Sequence, residues 1–402
     1  MKISKKVALG VSAAVGLSLA LAGCSSSTPS ASGDGGGDPV KMCVLVSDAT
    51  SSEALGFKAY YTDYIQSNFN VTFTYSDELA DANAEKTAME GFIANNCKAV
   101  ISFASADRGQ QIQMAEDAGI FYSVATGTLP EDQYEEFKDS PSYVGAIGPS
   151  LDIERQAGYD MAKYFVEEGD TTFAIFGGGI PYYIDMHIHR VAGMLTALAE
   201  EPSTTYGGQK EFGAILGKIM QDGTIKVADF SSDVYELSGY VEAWNFGDSA
   251  WQANLAGVVA SQPDAILAAG TGFAVFGAAI AGTDIKIGDI DAYTEENKKA
   301  MEAGSLAYLA GKFTSINGPI FAATLSAVEG SPIRAEGDTA LALEQGYWVA
   351  TSVDQFTEYL AADTAENPVY DKESLEPFIG TDASYDEFAQ FVSQYTFEDL
   401  VG

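Results

Sequence analysis

Apolar positions along this chain follow two rhythms: short contiguous apolar runs, and longer stretches with an apolar residue every third or fourth place. The first reads as buried strand and the second as a helix with one buried stripe. Residues 41–47 (KMCVLVS) form such a run. Residues 52–68 then carry Phe57, Tyr61, Tyr64 and Ile65 at i, i+4, i+7 and i+8, a helical stripe. Strands are expected at 71–75, 99–104, 121–125 and 144–147, with helices at 84–95 and 110–118. The rhythm restarts after a helix at 151–168. Strands follow at 172–176, 240–246, 265–268 and 286–290, with helices at 181–200, 250–261, 274–281 and 295–303. Residues 201–239 interrupt it as a polar insertion with Gly207-Gly208 and one short strand near 226–230.

Alternating strands and helices specify parallel sheet, and two successive halves of similar length specify an α/β chain with two doubly wound lobes. No internal sequence repeat accompanies that echo. Such sheets bind ligands beyond the carboxyl ends of their strands. The candidate ligand residues are therefore Asp48 and Thr50 after the first strand, Ser105, Asp107 and Arg108 after the third, and Thr126 after the fourth. In the second half they are Tyr182 behind Gly177-Gly178-Gly179, Trp244 and Phe246 at a strand end, Thr271 and Asp291. Trp244 and Phe246 straddle that end, so one of the two is expected to face the cleft and stack on a ligand.

The amino terminus changes the picture. Lys2, Lys5 and Lys6 precede an apolar run at 7–20, shaped like a secretory leader and short for a membrane span. The run ends in Leu21-Ala22-Gly23-Cys24, which resembles the lipobox of bacterial lipoproteins and implies cleavage after Gly23 with lipid on Cys24. Residues 1–23 are read as the signal peptide and 24–39, rich in Ser and Gly, as a flexible tether. The expected location is extracytoplasmic, at the cell membrane.

Hydrophobic content of 47%, with 22 Phe and 21 Tyr, identifies a globular chain. With 21 Lys+Arg against 57 Asp+Glu, the formal net charge of −36 excludes nucleic acid and anionic lipid surfaces as partners. Cys43 and Cys97 remain as either a disulfide or two buried thiols, on the amino side of the first sheet, away from the ligand-facing loops. No Cys or His grouping points to a metal or cofactor. His187 and His189 lie two residues apart on one helix and face different sides. No nucleophile elbow, Walker motif or dinucleotide fingerprint is present, which argues against catalysis.

Four segments, in order, resemble bacterial solute-binding proteins of the type I periplasmic-binding-protein fold, the ribose- and galactose-binding class. They are VGAIGPSLDIERQAGYDMAK (144–163), RVAGML (190–195), QPDAIL (262–267) and IGDIDAYTEENKKAMEAGSLAY (287–308). The resemblance implies two lobes joined by a three-segment hinge, with the ligand cleft between them and closure on binding. One lobe would comprise 40–148 with 313–347, and the other 149–312 with 348–402. Crossings are expected near 147–150, near 311–314 and after Trp348, with a helix at 318–330 returning to the first lobe.

The resemblance assigns Arg190 and Asp291 to ligand hydroxyls, with Asp289 as the alternative acid. Two departures stand out: small, mostly neutral residues follow both the first and the fourth strand, so a simple monosaccharide is not specified. The implied function is that of a monomeric, lipid-anchored protein that captures a small polar solute, foremost a sugar, and passes it to an ABC permease. The alternatives are a nucleoside-binding lipoprotein and a sensor that presents its ligand to a membrane receptor.

Overall fold

A computed structural model describes residues 37–178, 185–243 and 248–402. The leader, Cys24, the tether, Tyr182, Trp244 and Phe246 therefore lie outside the described residues. Among the described residues there are fourteen strands: β1 (Val40–Val46), β2 (Val71–Glu78), β3 (Ala99–Ser102), β4 (Phe121–Val124), β5 (Tyr143–Gly148), β6 (Thr172–Gly177), β7 (Thr205–Tyr206), β8 (Phe230–Ser231), β9 (Glu236–Glu242), β10 (Ala265–Ala268), β11 (Lys286–Ala292), β12 (Leu306–Lys312), β13 (Leu341–Glu344) and β14 (Trp348–Ala350). Two six-stranded sheets result, ordered β13-β5-β4-β3-β1-β2 and β14-β12-β11-β10-β6-β9. The first is parallel throughout, and in the second only β14 runs antiparallel, against β12. The chain passes between sheets at 149–150, 313–317 and 345–347. Trp348 already pairs with Gly311 in the second sheet, so the third crossing precedes it where the sequence reading had it follow.

Most expected strands and helices form close to where the apolar rhythm placed them; helix Glu131–Phe137 and strands β12, β13 and β14 were not expected, and the short strand expected near 226–230 is a 3-10 turn at Val227–Asp229 ahead of the two-residue β8. The expected strand at 240–246 is β9, which lies earlier because Leu237 and Val241 supply its buried positions. The insertion contains a helix, Phe212–Asp222, that the sequence reading missed; its stripe buries Ile215 and Ile219 before Gly223 ends it at φ 71°. The tail also adopts helical structure, and it serves both lobes where it had been assigned to the second alone. Helix Val353–Ala362 packs on Glu295–Glu302 and β14, the segment around Lys372–Leu375 packs on helix Gly318–Val328, and Tyr385–Ser393 packs on β13. Phe397 then returns to Tyr359 and Trp348, with ring centroids at 4.4 and 5.1 Å.

Two glycines fix how the second lobe presents its cleft-facing side. A Cβ on Gly158 would stand 2.0 Å from the Arg190 carbonyl oxygen, and one on Gly193 would stand 2.1 Å from that of Arg155. Helices Leu151–Glu167 and Asp185–Leu198 therefore touch backbone to backbone. That approach sets Glu154 opposite Arg190. In the first lobe Cys43 and Cys97 are joined as a disulfide, Cα to Cα 6.0 Å, within the buried cluster of Leu45, Met89 and Phe92. The bond closes a chain separation of 54 residues and lines no part of the cleft.

Candidate functional site

Loops at the carboxyl ends of both sheets enclose a cleft of about 680 Å³, within the range of small-molecule sites. The first lobe contributes Asp48, Glu53, Ser105 and Thr126, and the second His187, Arg190, Thr271 and Asp291. Lys312 and Tyr347 enter from beside the second crossing and within the third. The Lys312 Nζ donates to Glu53 Oε1 at 2.9 Å, so a cation from the second sheet reaches the first lobe's opening helix.

Three expected ligand residues do not reach the cleft. Arg108 donates to the carbonyls of Ala104, Thr126 and Thr128, which commits its guanidinium to holding the loop after β4. Asp107 caps helix Arg108–Ala118 through Gln110 N at 3.1 Å. Thr50 donates both its N–H and its hydroxyl to Asp48 Oδ1. Asp48 itself lines the cleft while also accepting from Ser51 N. Polar residues after strands served two purposes here, and several were spent on helix starts.

Arg190, which the resemblance assigns to ligand hydroxyls, sits at the cleft wall with only 3% of its surface exposed. Its Nε donates to Glu154 Oε2 at 2.6 Å, one Nη to the Ala269 carbonyl, and the other to the Tyr347 hydroxyl at 2.7 Å. Tyr347 in turn donates to Glu154 Oε2 at 2.8 Å. The three side chains form a closed triangle between the second lobe and the third crossing. The guanidinium N–H groups left over take no part in these bonds, and Arg190 still lines the cleft.

His187, which the sequence analysis set aside, is the clearest added site residue. It lies three residues before Arg190 on the same helix face, a spacing that could have revealed it. Its Nδ1 accepts from Gly178 N at 3.1 Å, leaving the proton on Nε2. Burial first, then the Arg190 and Lys312 charges, push its pKa down to about 3. The ring is therefore a neutral donor at the cleft wall. Thr271 adopts a left-handed backbone at φ 53°, a conformation that costs a non-glycine residue energy and recurs at ligand sites.

Asp289 and Asp291 share one face of β11. Asp289 is 0% exposed and accepts from the backbone N–H groups of Phe273 and Ile290, each at 2.9 Å, so it clamps helix Gly272–Phe276. Asp291, two residues on, lines the cleft, which Asp289 does not. Burial, then the Asp289 and Glu53 charges, push the Asp291 carboxyl well above the usual range. Burial also raises Asp289, while its backbone donors pull it back. Asp289 is thus the ionised partner near neutrality, and Asp291 carries a proton it can donate.

This arrangement predicts a pH dependence. A carboxyl raised on folding keeps a proton that the unfolded chain has released, so stability falls as pH rises through its titration. His187 works in the opposite sense, and its contribution is lost as pH falls below 6.5 toward 3. Asp363 and Asp289, each raised to about 6 with burial as the first cause, are largely titrated by pH 7. From pH 7 upward the Asp291 effect stands apart from these. The melting temperature is expected to decline over that range and then level off, and Asp291→Asn should flatten the decline. An unchanged slope in the variant would refute the assignment.

No protein-family model matches the chain, and no curated protein matches it. Solved structures do. An ABC transporter solute-binding protein from Bacillus halodurans with bound myo-inositol is 17% identical, with a TM-score of 0.55 over 82% of this chain and 100% of that one. A galactofuranose-binding protein is 14% identical, with a TM-score of 0.57 over 81% and 98%. An ABC transporter periplasmic solute-binding protein from Actinobacillus succinogenes with bound D-allose is 16% identical, with a TM-score of 0.56 over 80% and 100%. With its two parallel sheets, its crossings and the cleft between them, this chain has the two-lobed type I fold of those periplasmic binding proteins.

Proposed function

We propose that this protein is an extracytoplasmic, lipid-anchored binder that captures a sugar between its lobes and passes it unchanged to an ABC permease. The observation that carries this reading is the cleft itself: one cavity faced by donors and acceptors from both lobes, His187, Arg190 and Asp291 on one wall, Ser105 and Thr126 on the other. Each group suits a hydroxyl. The neutral imidazole and protonated carboxyl donate, and the threonine and serine hydroxyls both donate and accept. Neighbouring folds with bound inositol and allose support the same solute class.

In this reading the lobes comprise 40–148 with 313–347 and 149–312 with 348–402, the tail bracing both. They close about the three crossings when the ligand enters. Cys24 carries the anchor, the working unit is a monomer, and the permease is the partner.

A thermal-denaturation screen of pentoses, hexoses and inositols tests the proposal. A ligand present at a hundredfold excess over its Kd stabilises the folded state by about 2.7 kcal/mol. At least one sugar should raise the melting temperature. His187→Ala should weaken that sugar about threefold to tenfold, the loss of one neutral hydrogen bond. A panel with no stabilising sugar contradicts the proposal.

A further inference from the structure

The hinge lies along one side of the cleft. The crossings leave from β5, β12 and β13, and β13 and β5 end the first sheet as β14 and β12 end the second. β2 is the opposite edge of the first sheet, so its carboxyl end stands at the mouth, away from the hinge. The cavity reaches it. Along the first lobe the lining passes from Thr126 after β4 to Ser105 after β3, then to Asp48 after β1 and to Glu78 and Asp81 at the end of β2. Four neighbouring strand ends make a row of roughly 14 Å, three interstrand spacings. One sugar ring is shorter than that row, and a cavity of about 680 Å³ is of the size that encloses drug-sized molecules.

The mouth has the chemistry of a second sugar position. Glu78 and Asp81 are exposed carboxylates, and Asp81 accepts from Ala84 N through Oδ1 at 2.8 Å, which leaves Oδ2 for another donor. The Ser76 hydroxyl accepts from Val46 N at 3.1 Å and keeps its proton to give. Beside them the partly exposed rings of Tyr75 and Phe103 line the cleft, and sugar C–H faces stack on such rings. We infer that the cleft takes a disaccharide, one unit among His187, Asp291 and Thr126 and the other at the end of β2 by Ser76, Glu78 and Asp81. The inference rests on the sugar reading of the cleft. A nucleoside fits less well, because a base stacks best on open ring faces. Lys58 Nζ covers the Tyr75 ring at 5.1 Å and Phe103 stacks on Phe57 at 5.6 Å, so each ring keeps at most one face for a ligand.

Calorimetric titration with glucose, galactose, xylose and arabinose, set against maltose, cellobiose, lactose, melibiose and xylobiose, with adenosine alongside, tests this. At least one disaccharide should bind on the order of tenfold to a hundredfold tighter than its own monosaccharides, the gain from one added hydrogen bond to a carboxylate. Ala80 is exposed and lines the mouth. Ala80→Trp, which fills the second position, should erase that preference and leave the monosaccharide within about twofold of wild type. Glu78→Gln should cost the disaccharide about threefold to tenfold and spare the monosaccharide. Monosaccharides that bind as tightly as every disaccharide, adenosine that binds tighter than all of them, or a preference untouched by both substitutions would each overturn the inference while sugar binding itself stands. If no mono- or disaccharide binds, the sugar reading fails and the inference with it.

Discussion

Arg190→Ala is expected to destabilise the protein by about 3–5 kcal/mol, the usual consequence of removing one partner from a buried ion pair. Arg190 and Glu154 are 3% and 2% exposed. Without the guanidinium, the Glu154 carboxylate keeps only the Tyr347 hydroxyl, and the Ala269 carbonyl loses its donor. Charge left unpaired in a dry site costs more than the lost attraction. Replacing both partners by apolar residues of similar size, Arg190→Met with Glu154→Leu, should recover most of the loss. Urea denaturation of the three proteins makes the comparison. A single variant within about 1 kcal/mol of wild type, the size of an ordinary surface effect, would show that the triangle does not hold the second lobe to the third crossing.

The second large effect concerns the tail. A chain ending at Ser352 should fail to yield a soluble, cooperatively melting protein. Residues 353–402 bury Phe356, Tyr359, Tyr370, Leu375, Phe388 and Val392. At roughly 1.5–3 kcal/mol for each buried large side chain, their loss is on the order of 10 kcal/mol. That is comparable to the whole stability of a typical folded protein. The cut would also uncover the hinge. Trp348 stacks on Phe313 at 4.3 Å and donates its indole N–H to the Tyr395 carbonyl at 2.8 Å. Asp363 accepts from Ser315 N at 2.7 Å, inside the second crossing. Phe388→Ala in the full chain is the milder test, expected to cost about 3–5 kcal/mol. A truncated chain that melts like the intact one would refute the bracing role.

Much of this architecture was legible because burial in parallel sheet writes itself as contiguous apolar runs. KMCVLVS, AVISFA and QPDAIL announce β1, β3 and β10 without help from tertiary contacts. The helix at Phe212–Asp222 was missed because Gly213, Gly217, Lys218 and Gln221 dilute its stripe, and helical packing outweighs that local signal. Site residues were harder to read for a different reason. Sequence places a side chain at a strand end and says little about what consumes its hydrogen bonds. Asp107 and Arg108 stand where ligand contacts are made, yet a cap and three carbonyls use them. Arg190 reaches the wall, but Glu154 and Tyr347, 36 residues before and 157 after it, set its orientation. His187 gains its role from Gly178 N, a backbone group that no composition argument locates.

The central claim is that a sugar binds between the lobes through groups on both walls. Isothermal titration of the purified chain with the stabilising sugar, repeated on His187→Ala with Asp291→Asn and on Ser105→Ala with Thr126→Val, tests it most directly. One site per chain is expected, weakened by both pairs of substitutions because each wall holds the same ligand. Absence of heat with every sugar, or an affinity untouched by changes on either wall, would contradict it.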